Sequence, residues 1–363
     1  MKNKIYTAAV IGTGRIGFSL GFDCKREQPA SHTMALLANK RVRIVCGIDS
    51  NEENLLSWQK YVCKKQPGLP KPAAFSSIDK FLLGLEQKHF LIPDIVVISV
   101  NEKSHLDVAV RLIEAKPSLV ILEKPVALTV EQGMKIVDAA KSFGVPVLVN
   151  HERRFAADYA IARNYIEKIG DLQSVSARLD SGLRVYAKEN ESDGSYSLLH
   201  DGTHLVDVLL FLLEAKSFGK EDLLSNMRLL NFHLDEKDPG VVRNLTVGYD
   251  CPYCSDVQLR ISGRSRFFGF EVTVIGTEGA FTVGNGIFCF EKRCQSKLYS
   301  GFYSLKKDFS VKRPKKTLYF SNMVQNAIDF LDGKAELKST LENGMSSLSL
   351  LEDIKLLLAE EIL

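Results

Sequence analysis

Short apolar runs alternate with helical stretches over the first 150 residues of this 363-residue chain. Runs rich in Val and Ile occupy residues 7–11, 42–48, 94–100, 118–122 and 145–150. Such runs, separated by helical segments, are typical of strands in a parallel sheet that helices cover on both faces. The pattern predicts a doubly wound α/β domain over residues 1–152.

The pattern changes after about residue 152. Helical stretches at 153–169 and 203–213 flank a strand-like segment at 172–183. Further strand candidates follow at 227–234, 245–249, 257–261, 270–275, 280–283 and 287–290, before two helical segments at 321–331 and 340–363. Consecutive strands without intervening helices favour an antiparallel sheet. We therefore expect an α+β domain with a large, mostly antiparallel open sheet over residues 153–363.

Composition excludes several classes of protein. The formal net charge is 47 − 44 = +3, without the excess of basic residues typical of a nucleic-acid binder. The longest apolar stretch, 205–213, is too short to span a membrane, and no signal peptide precedes the first strand. Of seven scattered cysteines, Cys251 and Cys254 have CxxC spacing, but no further ligands accompany them, so we expect no metal. These features predict a cytoplasmic protein that binds neither nucleic acid nor membrane.

A glycine-rich turn follows the first predicted strand and opens a helical stretch. Glycines at this spacing permit a tight turn, close approach of a pyrophosphate and close helix packing. Asp49 ends the second predicted strand, 49 − 17 = 32 residues after the last glycine, whereas about 20 is usual. We attribute the excess to an insertion at residues 22–32. The turn consists of Gly12, Thr13, Gly14, Arg15, Ile16 and Gly17.

This context predicts a dinucleotide site of the Rossmann type. Asp49 and the following Ser50 stand where a ribose is expected. A carboxylate there accepts hydrogen bonds from the ribose hydroxyls and repels a 2′-phosphate. NAD is therefore favoured over NADP, although Asp49 is also suited to capping the next helix. The strand at 94–100 ends at further candidates for contact with the cofactor, which are Ser99, Val100, Asn101 and, a turn later, His105.

A lysine follows the strand at 118–122, in the sequence Glu123-Lys124-Pro125. The carboxyl ends of parallel strands line the ligand crevice, so Glu123 and Lys124 are candidates to contact the cofactor, and Lys124 also the substrate. Asn150 ends the fifth predicted strand and is a further candidate for substrate contact.

Two arginines, Arg153 and Arg154, follow that fifth strand. A guanidinium binds a carboxylate or phosphate in a bidentate fork, so either arginine is suited to an anionic substrate. An ion pair at the junction between the two domains explains them equally well.

Taken together, these motifs resemble the Gfo/Idh/MocA (glucose–fructose oxidoreductase/inositol dehydrogenase) family. The matching segments are residues 12–17, 49, 123–125, 150 with 153–155, 202–204 and 276–279, which extend over nearly the whole chain. The resemblance implies a Rossmann domain followed by a substrate domain on an open antiparallel sheet. It also implies hydride exchange between NAD(P) and a sugar, cyclitol or related hydroxy compound, in homodimers or homotetramers formed through that sheet.

The resemblance further implies a catalytic group made of the motif lysine and a D-x-G-x-H segment. Lys124 matches the lysine, and His204 matches the histidine in the segment at 200–204. His200 stands where the family has aspartate, and Asp201, a candidate for substrate contact, is displaced by about 100° on a helix. We therefore expect His204 to act as general base and Lys124 to orient and stabilise the reacting oxygen, with His200 as an auxiliary.

The sequence thus predicts an NAD-dependent oxidoreductase that acts on CH–OH groups of a sugar, sugar derivative or cyclitol. Two alternatives stay open at this point. One is an NADPH-dependent imine or enone reductase on the same scaffold, in which the protein donates a proton. The other is a non-catalytic NAD-binding sensor, which the missing aspartate at position 200 would allow.

Overall fold

The computed structural model describes residues 4–217 and 223–362. The chain forms two compact units, which we call unit 1 (residues 1–156 and 316–345) and unit 2 (residues 157–315 and 346–363). This division differs from the predicted one at residue 152, because a carboxyl-terminal segment returns to the first unit. The substrate-binding and oligomerisation roles expected of residues 153–363 stay predictions.

Unit 1 alternates strands and helices along its first 150 residues. These elements are β1 (Tyr6–Ile11), α1 (His32–Ala38), β2 (Val42–Ile48), α2 (Glu52–Lys65), β3 (Ala73–Phe75), α3 (Ile78–Glu86), β4 (Ile95–Ile98), α4 (His105–Glu114), β5 (Leu119–Leu122), α5 (Val130–Phe143) and β6 (Val147–Val149). Within residues 4–156 the six strands form a parallel sheet in the order β3-β2-β1-β4-β5-β6. The doubly wound α/β domain is therefore confirmed.

The strands of unit 1 are buried on both faces, which explains their unbroken apolar sequences. Every residue of β4 and β5 is buried. Alternate side chains of these strands pack in the core with α1 and α2, and α4 packs against β4, β5 and α5. The short edge strand β3 escaped prediction because two of its three residues are exposed, so it has no apolar pattern.

Local capping explains where these helices begin and end. The side chains of Ser31, Asn51, Ser77 and Thr129 each accept a backbone N–H in the first turn of the helix that follows. Such side-chain caps satisfy N–H groups that have no partner within the helix. Helix α5 ends at Gly144, which has φ +65°, a conformation that glycine adopts without steric cost.

Unit 2 is built on one large sheet. Its elements are α6 (Ala157–Tyr165), β7 (Leu172–Asp180), β8 (Tyr186–Ala187), α7 (Ser197–His200), α8 (Gly202–Leu213), β9 (Ser225–Asp235), β10 (Asp238–Cys251), β11 (Cys254–Ser262), β12 (Gly269–Gly276), β13 (Gly279–Gly284), β14 (Ile287–Gln295) and β15 (Tyr303–Lys307). In the part of unit 2 that the structure describes, the strand order is β15-β14-β13-β12-β7-β11-β10-β8, with β9 paired to β10. All these pairings are antiparallel except that of β7 with β11. The expected mostly antiparallel sheet is confirmed.

Two helices close the chain, α9 (Tyr319–Leu331) and α10 (Leu341–Ile362). The apolar stripe of α9 packs into the same core as β1, β4 and α1, which explains why residues 316–345 belong to unit 1. Its buried members are Phe320, Met323, Val324, Ala327 and Ile328. Helix α10 begins in unit 1 and continues into unit 2.

The CxxC motif lies in a β-hairpin. Cys251 ends β10 and pairs in register with Cys254 at the start of β11. Both cysteines are free thiols, and burial raises the pKa of each. Among residues 4–217 and 223–362, no cluster of three His, Cys, Asp or Glu side chains is placed to hold a metal ion. The same residues include no helix long and apolar enough to cross a membrane.

Candidate functional site

The glycine-rich turn at residues 12–17 directly follows β1. Gly12 has φ +88°, and a Cβ on it would collide with the carbonyl oxygen of Ser99. A Cβ on Gly17 would collide with the carbonyl oxygen of Gly12. Gly14 differs, because the nearest atom to an added Cβ there is Asn54 Nδ2 at 4.0 Å. The first and last glycines are thus required by packing, whereas Gly14 leaves open space beside the backbone, as a bound pyrophosphate needs.

The helix that should follow this turn is interrupted. Residues after Gly14 form one helical turn, in which the N–H of Phe18 donates to the Gly14 carbonyl at 2.9 Å. The carbonyl of Arg15 accepts from the N–H of Leu20 at 2.8 Å, and that of Ile16 accepts from the N–H of His32 at 3.1 Å instead of from residue 20. Likewise Gly17 accepts from the N–H of Thr33 at 3.0 Å. The helical hydrogen bonds therefore continue from the turn into α1 across a looped-out segment.

The length of this segment resolves the unusual spacing of Asp49. A helical bond joins residues 4 apart, whereas Ile16 and His32 are 32 − 16 = 16 apart. The insertion therefore comprises 16 − 4 = 12 residues, 20–31. Without it the distance from Gly17 to Asp49 is 32 − 12 = 20, the usual value. The insertion predicted at 22–32 is real and begins two residues earlier.

Asp49 follows β2 and joins the glycine-rich turn to the start of α2. Its Oδ2 accepts from the backbone N–H of Thr13 at 2.8 Å and from Thr13 Oγ1 at 3.1 Å. Its Oδ1 accepts from the N–H of Asn51 at 2.8 Å. A carboxylate has about four acceptor positions, so one position on Oδ1 is left. Asp49 thus braces the turn and the helix start while keeping an acceptor position beside Ser50, which is exposed.

The residues at the end of β4 support the turn. Ser99 Oγ lies 2.8 Å from the carbonyl oxygen of Gly12, to which it donates. The side chain of Asn101 accepts from the N–H of Lys103 at 3.2 Å, so it caps a short 3₁₀ helix at Glu102–Ser104. This is the capping role considered for Asn101, and it leaves the amide nitrogen of that side chain available to a ligand.

His105 is fully buried between the ends of β4 and β5. Its Nδ1 lies 2.8 Å from the carbonyl oxygen of Pro125, and its Nε2 lies 3.3 Å from that of Val100. Burial lowers the pKa of His105, although both carbonyls oppose this effect. A neutral imidazole has one N–H, which the shorter contact with Pro125 uses. His105 therefore holds the two strand ends together rather than reaching toward a dinucleotide.

A buried carboxylate lies beside the candidate lysine. Glu123 Oε1 is 2.5 Å from His32 Nε2 and accepts from Asn150 Nδ2 at 2.7 Å. Burial opposes ionisation of Glu123, but hydrogen bonds from His32 and Asn150 and the positive charge of Lys124 hold the pKa of its carboxyl below the usual range. Lys124 itself is half-buried. We call His32, Glu123 and Asn150 the strand-end network.

Sequence reasoning missed His32. It is the first residue of α1, and the structure makes it part of the helix that starts at the glycine-rich turn. In the sequence the 12-residue insertion separates it from that turn and hides the relation. Its ring also stands edge-on against Phe320, with ring centroids 5.1 Å apart. The sequence shows only that His32 follows a serine suited to capping a helix. That pattern alone does not indicate a functional site.

The second group of candidates lies in unit 2, where α7 meets α8. His200 ends α7 and is exposed, whereas His204 is half-exposed in the first turn of α8. Asp201 stands between the helices, and its Oδ2 accepts from Ser181 Oγ at 2.8 Å. Its backbone carbonyl accepts from the N–H of His204 at 3.1 Å. Asp201 is thus turned toward the buried Ser181, as expected if it does not replace an aspartate at 200.

The two candidate arginines lie in unit 1, on a short 3₁₀ helix at Glu152–Phe155. Arg154 is buried. Arg153 forms an ion pair with Glu152 at 3.5 Å. That ion pair lies within one short helix, so the ion pair considered at the junction between the domains stays a prediction.

The parallel sheet, the glycine-rich turn and the acidic residue after β2 define a class, the dinucleotide-binding proteins with a Rossmann fold. Residues 6–151 match the model of an oxidoreductase family with an NAD-binding Rossmann fold, GFO_IDH_MocA. The match covers 146 of the 363 residues, so the Rossmann part of the chain resembles the NAD-binding domain of this family. The resemblance inferred from its motifs is therefore confirmed.

Individual relatives are distant. The uncharacterized oxidoreductase YhhX of Escherichia coli is 31% identical over 137 residues, which are 36% of this chain and 37% of YhhX. The chain matches about two fifths of the length of its curated relatives. Relatives at this coverage bear on the Rossmann domain and leave the activity of the whole chain to be proposed.

Solved structures resemble the chain over nearly its full length. A proposed NADPH-dependent oxidoreductase from Desulfitobacterium hafniense has a TM-score of 0.76 at 15% identity, covering 99% of this chain and 97% of that one. The WlbA dehydrogenase of Bordetella pertussis, in complex with NADH and UDP-GlcNAcA, has a TM-score of 0.67 at 18% identity, covering 96% and 94%. At such identities these likenesses establish the two-part fold.

Proposed function

We propose that this protein is an NAD-dependent oxidoreductase that transfers hydride between the nicotinamide and a carbinol or carbonyl carbon of a sugar, sugar derivative or cyclitol. The observation that carries the proposal is the Asp49 carboxylate, held by Thr13 at the glycine-rich turn with one acceptor position left. That position suits a ribose hydroxyl, and the carboxylate disfavours a 2′-phosphate. The absence of a Cβ at Gly12 and Gly17 and the open space at Gly14 also fit a dinucleotide.

Lys124 and His204 divide the proton chemistry in this proposal. Oxidation of a carbinol removes a proton from oxygen while hydride leaves carbon, and NAD, when bound, supplies the hydride acceptor. His204 takes the hydroxyl proton as general base, since a histidine has an unperturbed pKa near working pH. Lys124 orients the same oxygen and stabilises the negative charge that develops on it. His200 is an auxiliary that hydrogen-bonds the substrate.

The substrate class rests on three supports. Proton transfer by His204 and charge stabilisation by Lys124 suit a hydroxyl-bearing carbon. The WlbA dehydrogenase, which shares the fold, binds a nucleotide sugar acid. Arg153 suits a carboxylate or phosphate on such a molecule, whereas Arg154 is buried.

We also infer a homodimer or homotetramer formed through the sheet of unit 2. Large apolar side chains on its strands are exposed, among them Leu230, Tyr303 and Leu305. Leu230 lies on β9 and the other two on β15, at opposite ends of the strand order, and exposed large apolar side chains are expected where a sheet takes part in a protein interface. Light scattering coupled to size exclusion should give an oligomer mass, and replacing Leu230 and Leu305 by Asp should give a monomer. A monomeric wild-type chain would remove this part of the proposal.

The proposed function is tested by cofactor titration followed by a substrate panel. NAD and NADP, oxidised and reduced, are titrated by calorimetry, and the absorbance of reduced nicotinamide is then followed with sugars, uronic acids, nucleotide sugars and inositols. We expect tighter binding of NAD than of NADP and turnover on at least one member. Binding without turnover on any member would favour the sensor instead.

The Lys124→Ala variant sharpens this test. Turnover should fall by about 100-fold or more, while the affinity for NAD changes little. Lys135→Ala is the matched control, because Lys135 is exposed on α5 and pairs only with Glu131 in the described structure. Normal turnover in Lys124→Ala would refute the assigned role of this lysine.

A further inference from the structure

The strand-end network leaves two buried polar atoms without a partner in the described structure, Asn150 Oδ1 and His32 Nδ1. Glu123 Oε1 accepts from His32 and from Asn150. A carboxylate only accepts hydrogen bonds, so the amide nitrogen of Asn150 must face it, and the amide oxygen must point elsewhere. Asn150 is 2% exposed, and its Oδ1 has no hydrogen-bond partner among residues 4–217 and 223–362.

An unpaired acceptor at this depth is unusual. More than nine in ten buried polar groups have a hydrogen-bond partner, and a buried group without one lowers the stability of the fold. Rotation of the Asn150 amide would not give its oxygen a donor, because the flipped oxygen would face the carboxylate of Glu123. The fixed oxygen of Asn150 therefore marks a place where a donor from outside the chain is expected.

The position of Asn150 in the sheet indicates which donor this is. The sheet order reverses between β1 and β4, and Rossmann folds bind a dinucleotide across such a point with its two halves on either side. The glycine-rich turn and Asp49 belong to β1 and β2, so the adenosine half lies there. Asn150 follows β6, and its backbone N–H donates to the carbonyl of Leu122 in β5 at 2.7 Å. Asn150 is thus on the nicotinamide side.

We propose that Asn150 Oδ1 accepts a hydrogen bond from the carboxamide N–H of the bound nicotinamide, with Glu123 and His32 as positioning residues that fix the amide. This inference rests on the proposed function, because it requires NAD(P) in unit 1. From the sequence we expected Asn150 to contact the substrate, and we assign it to the cofactor instead. The oxygen is buried beside the ends of β5 and β6, and in Rossmann folds the cofactor binds at the strand ends. The interaction selects a nicotinamide that carries an amino group.

Cofactor analogues test the proposal without any substrate. In 3-acetylpyridine adenine dinucleotide a methyl group replaces the carboxamide amino group, whereas the thionicotinamide analogue keeps that amino group. By calorimetry the wild-type protein should bind NAD and the thio analogue with similar affinity, and the acetyl analogue about five- to tenfold more weakly. Equal binding of NAD and the acetyl analogue by the wild-type protein would overturn the proposal.

Variants locate the effect at Asn150. In Asn150→Leu, which has a similar shape and no amide, the NAD-to-acetyl-analogue affinity ratio should fall to about one. In the control Asp49→Asn both dinucleotides should bind more weakly by the same factor, so the ratio should keep its wild-type value. A wild-type ratio in folded Asn150→Leu would refute the inference and leave the proposed function intact. Failure of the wild-type protein to bind any dinucleotide would instead refute the proposed function.

Discussion

The strand-end network of unit 1, which lies beside Lys124, and the α7–α8 junction of unit 2, which carries His204, are built differently. The three residues of the network are at most 7% exposed, and His32 and Asn150 are both hydrogen-bonded to Glu123. At the junction His200 is exposed and His204 half-exposed. Changes in a buried network leave polar groups unpaired, which costs about 1–3 kcal/mol each. Position 200 itself is exposed, so a histidine there, where the resemblance implies aspartate, leaves no buried group unpaired by its own side chain.

The largest expected effect tests the junction. His204→Ala removes the proposed general base, so kcat should fall by about 100- to 10,000-fold on the substrate that the panel identifies. The free energy of unfolding should change by no more than about 0.5 kcal/mol, because the side chain is half-exposed. Stopped-flow kinetics and urea unfolding measure the two quantities. His233→Ala, an exposed histidine on β9, is the control, and a kcat loss of similar size there would discredit the assignment.

The opposite outcome is expected in the network. Glu123→Ala leaves His32 and Asn150 buried without their shared acceptor, so the protein should lose about 3 kcal/mol of stability. Glu131→Ala removes an exposed carboxylate on α5 and should leave the stability nearly unchanged. Urea unfolding followed by circular dichroism compares the two. Equal stability of both variants would contradict the expected cost of leaving the buried network unpaired.

A smaller effect concerns the cofactor. Asp49→Asn should weaken NAD binding by about tenfold, because the charged acceptor for the ribose is lost. NADP binding should weaken less or improve, since the repulsion of its 2′-phosphate is removed. Calorimetric titration measures both. The control Glu52→Gln removes a nearby charge in the first turn of α2, and an equal loss of NAD affinity there would show a general charge effect.

The smallest expected effect is a pH dependence of stability. Burial lowers the pKa of His105 from 6.5, so the unfolded chain binds the proton more readily than the folded one. The stability from neutral His105 is present above pH 6.5 and is lost as pH falls below it, with a slope of at most about 1.4 kcal/mol per pH unit. His105→Gln should flatten this part of the profile. His200→Gln, a change at an exposed position, is the control variant.

The same contrast in burial decides what the sequence reveals. Strands such as β4 and β5 are buried on both faces, so their unbroken apolar sequences predicted the parallel sheet. The short strand β15 was missed, because four of its five residues are exposed. The sequence predicted that α9 is a helix. It did not predict that α9 belongs to unit 1, because that depends on tertiary packing against β1, β4 and α1, which are distant in the sequence.

The candidate site follows the same rule. The glycine-rich turn and Asp49 are near each other in a standard motif, so their pattern was visible once the long spacing was accepted. The strand-end network joins residues 91 and 27 positions apart, and no local pattern connects them. His32 in particular becomes a neighbour of Glu123 only through the tertiary structure.

The looped-out segment 20–31 has a consequence for how such proteins are recognised. The segment is held by hydrogen bonds, because Glu27 accepts from the backbone N–H groups of Thr317 and Leu318 just before α9. A fingerprint search that fixes the number of residues between the glycines and the acidic residue would pass over this chain. When residues 20–31 are left out of the count, the distance from the last glycine to the acidic residue returns to the usual value. Dinucleotide-binding fingerprints should therefore tolerate variable length within the first crossover helix itself.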